Sequence, residues 1–325
     1  MDVLEKVRRG YNYDFQDSTS RYLLGGRNKF SALELGSFLF WYTNSKHISQ
    51  YLKSQYGTVL TSCIAAIGRC AALGNDCEGI VCATDHMITM QNIGQFEHSI
   101  DKYRRIGTTN IAMLSGDALL FDEVLKDIPA PLDFDSVSVK IHENLKRIRD
   151  QRIDSSIFQR LRIDFDFLKD TLRLPTHNET MKGILDEIKD LTLNTSILLV
   201  GFKDQMAQLA EINEFQMLNA RDINFNAIGS GAVQAINTLL FQRHSKSDDL
   251  KTTLYNVYKA KRNSEVAVGV GKETDLFVLL PSGKLMEASD AQINDLAKVY
   301  AAEMQFSKTS DNLKNVVEGL IKSNA

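Results

Sequence analysis

The order in which strand-like and helix-like segments follow one another constrains the fold of this chain most strongly. Residues 61–68 and 79–84 are short apolar runs, and the loop at residues 74–76 between them carries glycine, asparagine and aspartate. Such a pattern is typical of a β-hairpin. A third apolar run, residues 111–114, ends at a serine, a glycine and an aspartate. The chain beyond residue 60 therefore predicts three strands in succession.

The spacing of apolar residues becomes helical between residues 118 and 193. Five apolar side chains there are three or four residues apart: Ile157, Leu161, Phe165, Leu168 and Leu172. This spacing predicts one helix with a continuous apolar face packed against the rest of the molecule. Pro175 predicts the end of that helix.

Strand-like segments return after residue 195. They are residues 196–202, 207–212, 225–228 and 274–280, and helical spacing occurs at residues 233–240, 250–261 and 290–306. Strands, helices, strands and helices in succession favour an α+β fold, with helices on the faces of antiparallel sheets, over a parallel doubly wound fold.

Composition and charge narrow the classes of partner. The 325 residues are 43% hydrophobic and 24% charged, which is usual for a globular protein. Lys and Arg number 38 against 41 Asp and Glu, a formal net charge of -3, and neither sign gathers into a long run. A protein with this charge exerts little general electrostatic attraction on nucleic acid or anionic membranes, so we expect neither as a partner.

The first twenty residues carry charged side chains without an apolar stretch, so they do not resemble a signal peptide. No window of the sequence reaches the length of uninterrupted apolar residues that a membrane span needs. We therefore expect a cytoplasmic protein.

All four cysteines, Cys63, Cys70, Cys77 and Cys82, lie close together in the sequence. They form no CxxC pair, and no pair of histidines lies nearby at the spacing of a zinc site. Free cysteine in an apolar strand behaves as a small buried hydrophobe. The sequence predicts reduced thiols in the core, with no metal ion and no cofactor.

One set of residues resembles the opening of proteasome β-type subunits and their bacterial relatives, which are N-terminal-nucleophile hydrolases. Thr61 leads the first apolar strand, Asp85 ends the second, and Thr89 follows four residues later. Lys102 comes seventeen residues after Asp85, and Gly116 fourteen residues after Lys102. These landmarks have the order of the family and nearly its spacing over about fifty-five residues.

The resemblance implies a mechanism. Thr61 would attack an acyl carbon, activated by its own freed α-amino group, whose unperturbed pKa is about 8. Lys102, held by Asp85, would keep the local potential positive. The backbone N–H of Gly116 would donate to the oxyanion.

Further site residues follow from the same resemblance. Thr89 and Ser115 would contact the substrate. The resemblance resumes at a Gly-Ser-Gly turn, in which Ser230 would help to orient the α-amine of the nucleophile. Glu265 stands where the family has an aspartate with that same task, whereas Val268 replaces a serine of the family.

A free amine on Thr61 requires that residues 1–60 be absent from the working enzyme. The resemblance implies a propeptide that is cleaved autolytically before Thr61, and a cut before Thr58 is the alternative. Translation could instead begin at Val59 or Leu60, so that residues 1–60 would be a mis-assigned start. They could also form an accessory segment.

For residues 61–325 the resemblance implies a four-layer αββα sandwich, two antiparallel sheets between helix layers. The expected function is hydrolysis of peptide or other amide bonds through an acyl-enzyme on Thr61, in a homo-oligomeric ring. Two alternatives stay open: a catalytically silent ring subunit, and an amidase for a small non-peptide amide. The sequence leaves open whether an ATPase partner exists.

Overall fold

The structure is a computed structural model that describes residues 61–70, 77–90, 94–98, 101–129, 132–172 and 179–309. The loop at residues 74–76, the end of a helix at Pro175 and the whole of residues 1–60 lie outside the described residues, so the predictions for them stay predictions.

The first sheet has five antiparallel strands in the order β10-β1-β2-β11-β12. The strands are β1 Cys63–Arg69, β2 Glu78–Asp85, β10 Phe225–Ile228, β11 Thr274–Leu279 and β12 Leu285–Glu287. β1 and β2 pair from Cys63 opposite Thr84 to Arg69 opposite Glu78, so the predicted hairpin pairing is confirmed.

The second sheet also has five antiparallel strands, in the order β5-β6-β7-β8-β9. The strands are β5 Tyr103–Ile106, β6 Asn110–Ser115, β7 Ser196–Lys203, β8 Met206–Ile212 and β9 Met217–Asn219. A separate two-stranded hairpin joins β3 Met87–Met90 to β4 Gly94–Glu97.

Eight α-helices occur in the described part of the chain: α1 Phe121–Leu125, α2 Phe134–Ile153, α3 Gln159–Leu161, α4 Phe165–Leu172, α5 Glu179–Asp190, α6 Ala232–Phe241, α7 Leu250–Ser264 and α8 Asp290–Thr309. Two of the long ones begin at an aspartate that accepts a backbone N–H of the first turn. Asp133 accepts from Ser136 and Asp249 from Thr252, each at 2.7 Å. Such caps satisfy donors that the helix itself leaves unpaired.

Alternation along the strands divides the apolar residues into three layers. On β1, Cys63, Ala65 and Ile67 face a core between the two sheets, whereas Ile64 and Ala66 face a core under α6 and α7. A third core lies between the second sheet and helices α1 and α2. Both faces of the central strands are therefore buried, which is why their sequences are continuous apolar runs.

The layers stack as helices, sheet, sheet and helices. The predicted α+β fold and its four-layer αββα sandwich are confirmed. The cysteines are free thiols, and Cys63 and Cys82 lie in the core between the sheets, as the sequence predicts. In the described residues, no helix is long and apolar enough to cross a membrane.

The prediction of one continuous helical face between residues 157 and 172 is wrong. Arg162 adopts a left-handed backbone conformation (φ 56°), which ends α3 before α4 begins. As a result Leu161 and Phe165 are exposed, while Ile157 and Leu168 pack in a small cluster of their own with α5. The sequence does not predict this break, because the left-handed region is unfavourable for residues with a Cβ and an arginine is therefore not expected there.

Truncation in the core between the sheets should be costly. Leu198 is fully buried on β7, and Leu198→Ala should lower the free energy of unfolding by about 2–5 kcal/mol through lost burial and a cavity. Leu240→Ala is the matched control, because Leu240 on α6 is 56% exposed. Urea titration checks this, and equal midpoints for the two variants would contradict the layer assignment.

His244 should make folding stability depend on pH. Its side chain is buried, its Nε2 lies 3.0 Å from the carbonyl oxygen of Ile67, and burial lowers its pKa below the ordinary value. The unfolded chain therefore binds the proton first, and the free energy of unfolding falls as pH drops below about 6.5. His244→Gln should flatten this slope in urea titrations at pH 5 to 7; an unchanged slope would rule the histidine out.

Candidate active site

Thr61 lies two residues before the start of β1, and hydrogen bonds to its backbone carbonyl oxygen hold it there. Its carbonyl oxygen accepts the backbone N–H of Gly231 at 3.3 Å and the hydroxyl of Ser230 at 3.4 Å. Both donors belong to the turn between β10 and α6. Only 2% of Thr61 is exposed, so its hydroxyl faces the interior.

The hydroxyl of Thr61 lies between two charged side chains. Oγ1 donates to Oδ1 of Asp85, and the ammonium group of Lys102 donates to the same Oγ1. Lys102 Nζ and Asp85 Oδ1 form an ion pair at 2.7 Å. The structure thus brings together the three residues that the sequence proposed as nucleophile, carboxylate and lysine.

Strand register explains why these residues meet. Cys63 pairs with Thr84, which places Thr61 and Asp85 at the same end of the first sheet. In the second sheet, Tyr103 pairs with Met113, so Lys102 lies at the end of the sheet where β6 finishes. The ion pair joins these two sheet ends.

The carboxylate of Asp85 is completely buried and has a donor for each oxygen. Oδ1 also lies 3.4 Å from the backbone N–H of Ser62, and Oδ2 accepts the backbone N–H of Gly271 at 2.7 Å. Lys102 donates in addition to the carbonyl oxygen of Met87. A buried ion pair is tolerated when its remaining hydrogen-bonding capacity is filled in this way.

Met87 contacts Lys102 through its backbone carbonyl oxygen, so this contact does not depend on the identity of its side chain. Thr89 lies in β3 opposite Gln95.

Gly116 follows β6, in a position that leaves no room for a side chain. Its φ is 125°, and a Cβ would lie 2.4 Å from the carbonyl oxygen of Asn194. The neighbouring Ser115 is buried, and its Oγ has no hydrogen-bond partner among the described residues. The oxyanion role of Gly116 and the substrate contact of Ser115 stay predictions.

Gly229 separates Thr61 from Ser115. Its φ is 98°, and a Cβ would lie 2.2 Å from the carbonyl oxygen of Thr61 and 2.9 Å from Oγ of Ser115. The turn at residues 229–231 therefore approaches Thr61 closely because it carries no side chain at this point. Ser115 and Thr61 are neighbours across this glycine.

Glu265 has partners that the sequence did not indicate. Its carboxylate accepts from the ammonium group of Lys261 at 2.8 Å and from Arg262 at 2.9 Å. Its predicted action on the α-amine of Thr61 stays a prediction. Val268, which replaces a serine of the family, is 61% exposed.

Two groups that interact with Asp85 were not predicted from the sequence. One is the backbone N–H of Gly271, which no side-chain motif can reveal. The other is Lys261, which is completely buried although it is charged. Its only sequence signal is the acid four residues later, and that spacing on a helix is usually a solvent-exposed pair.

Comparison with known proteins supports the fold and no more. No protein-family model matches the chain, and no curated protein matches it. A solved structure that does match is the Gly-1 mutant of Anbu from Hyphomicrobium sp. strain MC1. The match has 14% sequence identity and a TM-score of 0.50, and it covers 77% of this chain and 97% of that chain. The match shows that this chain shares the fold of Anbu, an α+β sandwich of two antiparallel sheets and helices.

A side chain at Gly229 should disturb the site. Gly229→Ala would force a positive φ on alanine and press its Cβ against the backbone of Thr61, so we expect a loss of about 1–3 kcal/mol in the free energy of unfolding. Gly183→Ala is the matched control, because Gly183 lies on α5 with open space around it and alanine favours helix. Urea titration measures both, and an equally mild effect at Gly229 would contradict the close approach.

Proposed function

We propose that this chain is a threonine-type amide-bond hydrolase, in the first place a peptidase, whose nucleophile is Oγ1 of Thr61. One observation carries the proposal: the buried Thr61 hydroxyl touches both the Lys102 ammonium group and the Asp85 carboxylate. A threonine hydroxyl is a weak nucleophile and needs such an electrostatic environment together with a base.

The proposed base is the α-amine of Thr61 itself, once residues 1–60 are absent. The amine takes the proton of the hydroxyl while Oγ1 bonds to the acyl carbon. The Lys102 ammonium stabilises the negative charge that develops on Oγ1, and the Gly116 N–H would donate a hydrogen bond to the oxyanion. Asp85 holds the Lys102 ammonium group in place through their ion pair.

The tetrahedral intermediate would then collapse. The C–N bond breaks, the leaving nitrogen receives the proton from the α-amine, and an ester remains on Thr61. A water molecule attacks that ester and gives up a proton to the amine, which returns it to Oγ1 as the acid leaves. Ser230 would help to orient the amine, and Thr89 and Ser115 would contact the substrate.

A catalytically silent structural subunit is the second candidate. It is favoured by the contacts of Glu265, whose carboxylate is bonded to Lys261 and Arg262, and by Val268 in place of a serine. On either reading we propose a homo-oligomeric ring, because Anbu, which this chain resembles in fold, is a proteasome-like protein. Light scattering of the purified protein should give the mass of several chains, and a single-chain mass would contradict the ring.

Covalent labelling tests the enzyme. A peptide vinyl sulfone or epoxyketone should add once per chain, and Thr61→Ala should abolish the adduct, as read by intact mass. Thr58→Ala is the matched control and should label like the unchanged chain. Peptidase activity is contradicted if the unchanged chain is not labelled, and an amidase for small amides is favoured if it hydrolyses such amides while resisting peptide probes.

A further inference from the structure

Lys261 is a buried lysine with three partners close to the proposed site. It lies near the end of α7, and its side chain is fully buried. Its ammonium group donates to Glu265 at 2.8 Å, to the carbonyl oxygen of Gly271 at 2.7 Å and to that of Lys272 at 3.1 Å. All three ammonium hydrogens therefore have an acceptor.

Gly271 connects this lysine to Asp85. Its carbonyl oxygen accepts from Lys261, while its N–H donates to Oδ2 of Asp85 at 2.7 Å. The same peptide segment is thus bonded on one side to α7 and on the other to the carboxylate that contacts Thr61 and Lys102. Its missing side chain matters, because a Cβ would lie 2.8 Å from Oε1 of Glu97 and 3.1 Å from the N of Met87.

Glu97 secures the loop after Gly271. Its carboxylate accepts the backbone N–H of Lys272 and, at 3.1 Å, that of Glu273. Burial alone would raise the pKa of Glu97, but these two amides bring it below its ordinary value, so the charged form is favoured. The loop at residues 271–273 is therefore held from both sides, by Lys261 on its carbonyl oxygens and by Glu97 on its amides.

We propose that Lys261 is a positioning residue, which with Glu265 fixes the Gly271 N–H on Asp85 and so sets the orientation of the carboxylate beside Thr61. Glu265 acts in this arrangement by holding Lys261. We call this arrangement of Lys261, Glu265 and Gly271 the clamp on Asp85. The clamp is inferred from the contacts alone, whereas its effect on turnover rests on the function proposed above.

Charge supports the same arrangement. Burial lowers the pKa of Lys261, and the carboxylates of Glu265 and Asp85 oppose that effect. The lysine is therefore a second cation that interacts with Asp85, in addition to Lys102. Removing it would leave the carbonyl oxygens of Gly271 and Lys272 without this donor, which favours rearrangement of the loop, whereas the Glu265 carboxylate would keep its bond from Arg262.

The experiment compares Lys261→Met with Lys259→Met in the full chain. Lys259 is the matched control, because it lies on the same helix, is also largely buried and loses an ion pair with Glu303 on α8, away from Asp85. Hydrogen exchange followed by mass spectrometry should show the amides of residues 270–273 exchanging at least tenfold faster in Lys261→Met and unchanged in Lys259→Met. Lys261→Arg should restore part of the protection, since it keeps the charge.

The second readout is labelling by the peptide vinyl sulfone. Lys261→Met should lower the maximal rate of inactivation at least tenfold with little change in the probe concentration for half-maximal rate, because the reacting groups and not the substrate contacts are displaced. If Lys261→Met fails to fold, Glu265→Gln provides the same comparison, with faster exchange at residues 270–273 expected.

The outcomes separate the two proposals. Unchanged exchange at residues 270–273 in Lys261→Met, or equal acceleration in Lys259→Met, overturns the clamp. Faster exchange with an unchanged rate of inactivation overturns the positioning role. Accelerated exchange in a protein that the probe never labels upholds the clamp and counts against the proposed hydrolase instead.

Discussion

The ion pair between Asp85 and Lys102 is the interaction on which the rest of the site depends. Moving two charges into a protein interior costs several kcal/mol for each ion, and their attraction offsets this only when the other hydrogen bonds are also made. Asp85 meets that condition with donors from Thr61, Ser62, Gly271 and Lys102. The surrounding backbone must therefore present its N–H groups to one carboxylate.

The two sheets make these contacts with the carboxylate possible, because they bring segments that are distant in the sequence to one place. β2 of the first sheet ends at Asp85, Lys102 precedes β5 of the second sheet, and the turn after β10 carries Gly229 against Thr61. Apolar residues fill the space between the sheets and exclude water. An ion pair in such surroundings is strong and fixed in direction, as electrostatic stabilisation of a developing charge requires.

The strands whose two faces are both buried could be predicted from the sequence, since β1, β2, β7 and β11 are continuous apolar runs. The short strands β5 and β9 could not. β5 contains Arg104 and Arg105, and β9 exposes all three of its residues, so packing leaves little pattern in either. These two strands can be identified only from their pairing in the structure, β5 with β6 and β9 with β8.

The grouping of Thr61, Asp85 and Lys102 followed from their spacing and the resemblance that it supports. The contacts around these three residues could not be predicted in this way. Contacts made by the backbone of Gly271 and Met87 leave no side-chain signal, and Lys261 in the sequence resembles any exposed helical lysine with an acid one turn later. Its burial becomes visible only when α7 is packed against the loop that follows it.

The proposed hydrolase requires a free α-amine and an activated hydroxyl on Thr61. Intact mass and N-terminal sequencing of the purified protein, expressed from residue 1, show whether the amine is free. We expect a species that begins at Thr61, and Thr61→Ala should retain the preceding residues if the cleavage is autolytic. A stable chain that keeps residues 1–60 would contradict Thr61 as the nucleophile.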